Sequence, residues 1–141
     1  MLVAFVALVA MINYFLTFAD TSLQGILGFV FRPLAWSMGI SWEEAQMVGV
    51  LMGEKIILTE LIAYSDLRDL ILERAISDRT AIIASYALCG FANFASIGIQ
   101  LGGIGGMAPE RRKDLAALAL KAMLGGALAS WMTASIAGIL I

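Results

Sequence analysis

Three short stretches set ionisable or amide side chains inside otherwise apolar sequence: Gly53-Glu54-Lys55, Thr59-Glu60, and Asn93 with Ser96 three residues on. At membrane depth such a group costs roughly several kcal/mol unless it finds partners, so each is a functional candidate. Glu54 and Lys55 have two open readings, a self-neutralising ion pair at a hairpin tip or a functional pair. Thr59-Glu60 lies between Leu58 and Leu61. A carboxylate there can accept hydrogen bonds from ligand hydroxyls or carry a proton; the competing reading is neutralisation by Lys55, five residues earlier. Asn93 and Ser96 have the spacing of one helix face. Together they can donate to and accept from a polar, uncharged ligand, although hydrogen bonds between packed helices use the same groups. Gly90 lies close before Asn93, and a break there frees backbone groups for binding, as in discontinuous transporter helices. Phe91 offers an apolar face on which a flat ring can stack.

Enzyme chemistry has no support. The chain has no histidine and one cysteine, Cys89, so no Ser/His/Asp or Cys/His set can form. A zinc site is not expected, and a single thiol gives no intrachain disulfide. The glycines at 102–106 are not followed by lysine plus Ser/Thr, so they are no phosphate loop. No cofactor is expected.

The elements that must position these groups read as membrane helices. Of 141 residues, 61% are hydrophobic and 14% charged, against about 25% charged in soluble domains. Residues 1–19, 80–109 and 122–141 carry no formal charge, and an uncharged apolar run of about 18 or more residues reads as a membrane helix. No positive charge precedes the first run, so it reads as a membrane helix over 2–18 rather than a signal peptide. Its abrupt start points to truncation. Asp20-Thr21-Ser22 gives a polar break and a helix cap. Residues 23–38 hold Arg32-Pro33 and Trp36, which suits an interfacial helix broken before Pro33, with Arg32 and Trp36 at headgroup level. Ser41-Trp42-Glu43-Glu44 opens the next helix, with its acids in the first turn. Residues 45–52 make only about 12 Å of helix, too little to span. With 61–64 they form two half-length arms around a polar middle, the pattern of a re-entrant hairpin.

Residues 65–79 read as a short amphipathic helix and surface loop. Residues 80–100 are long enough to span but are interrupted around 90–93. Residues 115–141 form the last membrane helix, with Lys121 snorkelling and Gly125, Gly126 and Ala129 set for close helix approach. The net charge is -2, with no basic tract beyond Arg111-Arg112-Lys113. Nucleic acid is excluded as a partner, and that short loop is expected on the cytoplasmic side. The expected fold is an all-α, polytopic membrane protein with a re-entrant helical hairpin and a discontinuous membrane helix. It divides into 1–38 (membrane helix plus interfacial helix, scaffold-like), 39–79 (hairpin and amphipathic segment) and 80–141 (broken helix and final helix).

Gly53-Glu54-Lys55-Ile56-Ile57-Leu58-Thr59-Glu60-Leu61-Ile62-Ala63-Tyr64 resembles the second re-entrant hairpin of the concentrative nucleoside transporters. Tyr86-Ala87-Leu88-Cys89-Gly90-Phe91-Ala92-Asn93-Phe94-Ala95-Ser96-Ile97-Gly98-Ile99-Gln100 resembles that family's broken helix, and Ala108-Pro109-Glu110-Arg111-Arg112 the loop after it. The similarity covers essentially the whole chain. It implies sodium- or proton-driven nucleoside uptake by a homotrimer with an elevator-like transport domain, in the cell membrane (the inner membrane if bacterial). It also implies roles. Glu60 takes the hairpin glutamate that binds ribose hydroxyls, Asn93 and Ser96 the ribose-binding amide and hydroxyl, and Phe91 the phenylalanine near the base.

Two departures stand out. Thr59 replaces the family's usual asparagine before the glutamate, which keeps a hydroxyl near Glu60 and loses an amide. The family's first hairpin and its partner helix, which recognise the base and hold sodium, have no counterpart here. The resemblance therefore implies a C-terminal fragment whose partners are nucleoside, lipid bilayer and a missing N-terminal half. The coupling ion, sodium or a proton, has its site outside this chain. The alternative is a non-transporting membrane subunit or remnant that assembles with other chains.

Overall fold

The computed structural model describes residues 2–141. Met1, with which the first apolar run is expected to begin, lies outside them. The order is α1 (Leu2–Leu16), a 3-10 turn (Thr17–Ala19), α2 (Leu23–Ser37), α3 (Ala45–Ile57), α4 (Glu60–Leu72), α5 (Asp78–Leu88), α6 (Phe94–Met107), a second 3-10 turn (Pro109–Arg111) and α7 (Arg112–Leu140). No strand occurs among the described residues, so the all-α expectation holds. The stretch Pro109–Leu140 is the one helix among them long and apolar enough to cross a membrane.

The junction between α1 and α2 follows from its polar residues. Asp20 takes the left-handed conformation, φ 50°, and Ser22 caps α2 by accepting from Gly25 N. Asn13 of α1 also accepts from Leu23 N and donates to Gln24. Two of the first backbone amides of α2, Leu23 N and Gly25 N, are thereby paired with side chains.

α2 departs from expectation at Pro33, which lies inside a continuous helix rather than after a break. Proline forfeits one backbone hydrogen bond, and contacts on both sides of Pro33 hold the helix in place. The Arg32 guanidinium lies 4.2 Å from the Trp42 ring centre and donates to Trp42 O at 3.0 Å. Trp36 meets Trp42 edge-on, so Trp42, and not Trp36, is the partner of Arg32. On its other face α2 is pressed against α3 through glycines. A Cβ on Gly49 would lie 2.5 Å from Gly28 O, and one on Gly28 would lie 2.5 Å from Val50 Cγ2.

α3 and α4 form a hairpin around the two-residue break Leu58-Thr59. Its arms run antiparallel, with a groove lined by Met47, Leu51 and Glu54 on one side and Asp66, Leu70 and Glu73 on the other. The acids of Ser41-Trp42-Glu43-Glu44 precede α3 instead of lying in its first turn. Glu44 reaches across to the start of α5, where its carboxylate accepts from Ser77 N and Ser77 Oγ, each at 3.0 Å. The charged stretch 65–79 also differs from expectation. Its first half is the continuation of α4, because Ala63 and Leu67 keep the helical spacing and are buried, with Leu70 packed beside them. Only 73–77 is loop, turned by Arg74 at φ 55°.

The core lies where α3, α5 and α7 meet, around Val48, Met52, Ile83, Ala84, Leu88 and Trp131. Arg79, at the start of α5, donates to Gly39 O, Gly138 O and Ile141 O, tying the ends of α2 and α7 together. Of the three small residues expected to mediate close approach, Gly126 does so, with Ala92 Cβ 3.4 Å from the position of its absent Cβ. Gly125 has nothing within 4 Å, and Ala129 is exposed.

Candidate functional site

Two interruptions of helix carry the candidate residues. In the hairpin, Leu58 has φ −96°, ψ −102°, and Thr59 is extended, which starts α4 at Glu60. Between α5 and α6, Gly90 takes φ 93°, a conformation that favours glycine. Asn93 is extended at φ −142° and starts α6. The break therefore falls where Gly90 and Asn93 place it.

Asn93 joins the two helix starts. Its Oδ1 accepts from Ser96 N at 2.7 Å, an N-cap, and its Nδ2 donates to Glu60 Oε2 at 2.8 Å. The residue is 2% exposed, so its amide is used on both sides. The expected geometry changes accordingly. Asn93 and Ser96 do not share a helix face, because Asn93 stands outside the helix as its cap. The i, i+3 spacing is that of a cap and the amide it satisfies.

Phe91, Asn93 and Ser96 line one cleft of about 200 Å³ between the break, α6 and α7, together with Gly90, Gln100 and Met123. Phe91 is 75% exposed, and its ring stands at the rim. Glu60 and Thr59 are half-buried and do not line this cleft; Glu60 connects to it through Asn93. Thr59 caps α4 by position, without a side-chain hydrogen bond to it. The structure therefore brings together Glu60, Asn93, Ser96 and Phe91, with Thr59 adjacent to Glu60. The start of α6 at the cleft, with the Glu60 carboxylate one hydrogen bond behind it through Asn93, suits a ligand rich in hydroxyl groups. The carboxylate accepts, and the helix start adds positive potential.

Neither pairing of charges forms a close ion pair. Lys55 pairs with neither Glu54 nor Glu60, and the one ion pair among the described residues is the exposed Arg111–Asp114. The Lys55 ammonium, fully buried, donates to Ala87 O at 3.0 Å, Cys89 O at 2.9 Å and Ser130 Oγ at 3.3 Å. Glu54 instead faces the groove beside Asp66. Sequence reasoning missed Ser130, and also Tyr64, whose hydroxyl donates to Ser85 O at 2.7 Å. A serine in an apolar helix and a tyrosine at a hairpin end carry no local signal of a distant acceptor. With Lys55 and Asn93, Tyr64 makes a third tie between the hairpin and the broken helix. Among the described residues no cluster of His, Cys, Asp or Glu has the arrangement of a metal site.

Residues 1–138 match the family described as Na+ dependent nucleoside transporter C-terminus. Uncharacterized transporter YutK of Bacillus subtilis (strain 168) is 49% identical over 148 residues, covering 100% of this chain and 36% of that protein. Sodium/nucleoside cotransporter 1 of Mus musculus is 40% identical over 159 residues, covering 99% of this chain and 24% of that protein. Among solved structures, CNTnw in an inward-facing substrate-bound state superimposes with a TM-score of 0.86 at 48% identity, covering 97% of this chain and 34% of that one. The chain thus spans about a third of the length of the first of these relatives and about a quarter of the second.

Proposed function

The chain belongs to the concentrative nucleoside transporter family, as its C-terminal portion, and from this premise we propose that it forms the ribose-binding half of a cation-coupled nucleoside symporter. Its relatives are membrane transporters and not enzymes. The observation that carries the reading is the 2.8 Å hydrogen bond from Asn93 to Glu60, which unites the hairpin and the broken helix at one polar point beside a cleft.

In this reading Glu60 accepts hydrogen bonds from ribose hydroxyls. Asn93 holds the Glu60 carboxylate and the first turn of α6, Ser96 offers its hydroxyl to the sugar, and Phe91 stacks near the base. Thr59 sets the backbone before Glu60. The base-recognising residues and the coupling-ion site, for sodium or a proton, belong to the N-terminal portion of the family, which this chain does not include. The hairpin is re-entrant in the bilayer, and the functional unit is a homotrimer in the cell membrane working by alternating access. The three ties from α3–α4 to α5–α6 support movement of hairpin and broken helix as one body. The glycine packing of α2 on α3 favours moving α2 from the expected 1–38 scaffold to that body, which leaves α1 to the scaffold.

The test is calorimetric titration of uridine into the detergent-purified chain, with and without sodium, beside Asn93→Ala. Saturable binding that disappears in the variant supports a working half-site. A folded chain that binds nothing, both alone and with the N-terminal portion of a relative supplied, removes the ribose-binding role.

A further inference from the structure

The C-terminal end of a half-helix inside a membrane protein exposes carbonyl oxygens that attract a cation, and in discontinuous transporter helices such ends can coordinate the transported or coupling ion. α5 ends this way, at Leu88, with the break beginning at Cys89. Two of its terminal carbonyls, Ala87 O and Cys89 O, converge with Ser130 Oγ of α7 on the Lys55 nitrogen, at 2.9–3.3 Å. An alkylammonium has three N–H donors and no acceptor, and three oxygens surround this one. Lys55 is 0% exposed, so its ammonium relies on these oxygens rather than on bulk solvent. Ser130 also donates to Cys89 O at 2.6 Å, which fixes the third oxygen of the set.

We propose that Lys55 is a resident cation. Its ammonium permanently fills the cation position at the carbonyl end of α5, closes that end to a coupling ion, and holds the 89–93 break in the shape that presents Phe91 and Asn93. Lys55 is thus a positioning residue acting through backbone oxygens. This goes beyond the nucleoside reading and stands without it, because its test needs no nucleoside.

The test is hydrogen exchange by mass spectrometry on the full chain in detergent, comparing the segment 86–96 with the end of α7, 131–140. In Lys55→Met, which keeps most of the volume and removes the charge, exchange over 86–96 rises at least about tenfold, the order expected for losing hydrogen bonds from a charged donor. The end of α7 is unchanged. In Lys55→Ala, ethylammonium restores slow exchange over 86–96. Tetramethylammonium, which has no N–H, and sodium at equal ionic strength do not. Should neither Lys55 variant fold, Ser130→Ala in the native lysine background removes one oxygen, and exchange over 86–96 rises about threefold. Exchange unchanged in Lys55→Met, or in Ser130→Ala where that variant decides, overturns the proposal. So does rescue of Lys55→Ala by sodium, or by all three salts alike.

Discussion

The Asn93 side chain bridges two helix starts, with Nδ2 donating to Glu60 Oε2 at 2.8 Å and Oδ1 accepting from Ser96 N at 2.7 Å. The two halves of this amide can be separated by substitution. Asn93→Asp keeps a good N-cap acceptor for Ser96 N and replaces the donor toward Glu60 by a second carboxylate. Asn93→Ala removes both. We expect Asn93→Ala to lose about 1–3 kcal/mol of stability, from the cap and the buried pair together. Asn93→Asp should lose stability too, because it keeps the cap but sets two carboxyl groups against each other in place of the hydrogen bond. Thermal unfolding of both variants, with Glu60→Gln added in each background, checks this. Losses unaffected by the second substitution would show that the Glu60 contact contributes nothing.

Glu60→Gln separates charge from shape. The glutamine oxygen still accepts from Asn93, so the fold and the unfolding temperature should change little. If Glu60 accepts ribose hydroxyls, uridine affinity should fall by about 10- to 100-fold, the value of a hydrogen bond to a charged partner. Deoxyuridine should lose less between the two proteins than uridine does. The readout is calorimetry in a preparation that binds uridine. Affinity unchanged in Glu60→Gln would take Glu60 out of the site.

Much of this arrangement is legible in the sequence, and the limits have physical causes. Gly90 marks the helix break because few other residues favour positive φ. The polar middle marks a hairpin, but α3 runs on through Glu54-Lys55, read as its tip, and the turn falls at Leu58-Thr59. Periodicity says nothing, however, about which distant oxygens a lysine reaches, so Lys55 reads as a local ion pair until Ala87, Cys89 and Ser130 are seen around it. Pro33 reads as a break because its propensity is strong, whereas Arg32 on Trp42 and the glycine packing on α3 decide otherwise. The Asn93 and Ser96 spacing misleads in a different way, since i, i+3 describes both a helix face and a cap box.

Glycines should respond with opposite signs according to what they face. A Cβ on Gly49 would lie 2.5 Å from the backbone oxygen of Gly28, which cannot rotate away. Gly49→Ala should therefore cost about 1–3 kcal/mol as α2 and α3 are forced apart. Gly125 lies in α7 with nothing within 4 Å, so Gly125→Ala should be neutral or gain up to about 1 kcal/mol from helix propensity. Parallel denaturation of the two variants checks the contrast. A stable Gly49→Ala would mean that α2 and α3 are not in contact as described.

Glu44 gives a pH signature outside the membrane-spanning helices. Burial pushes its carboxyl pKa up, but hydrogen bonds from Thr80, Ser77 and Ser41 outweigh this and hold it below the ordinary value of 4.5. The sign follows from linkage. A carboxyl with a lowered pKa in the folded state stabilises the fold at pH above the unfolded value, and this contribution disappears as pH falls through the folded value. Glu44→Gln, which removes the charge, should therefore be less stable than the native chain near neutral pH. The gap should close as the pH drops below about 4.5, and its size should be small because the group is only partly buried. Unfolding temperatures of the two proteins across that range decide it. A gap that stays constant with pH would mean that Ser77 is held by shape alone and the charge on Glu44 has no part in joining the hairpin mouth to α5.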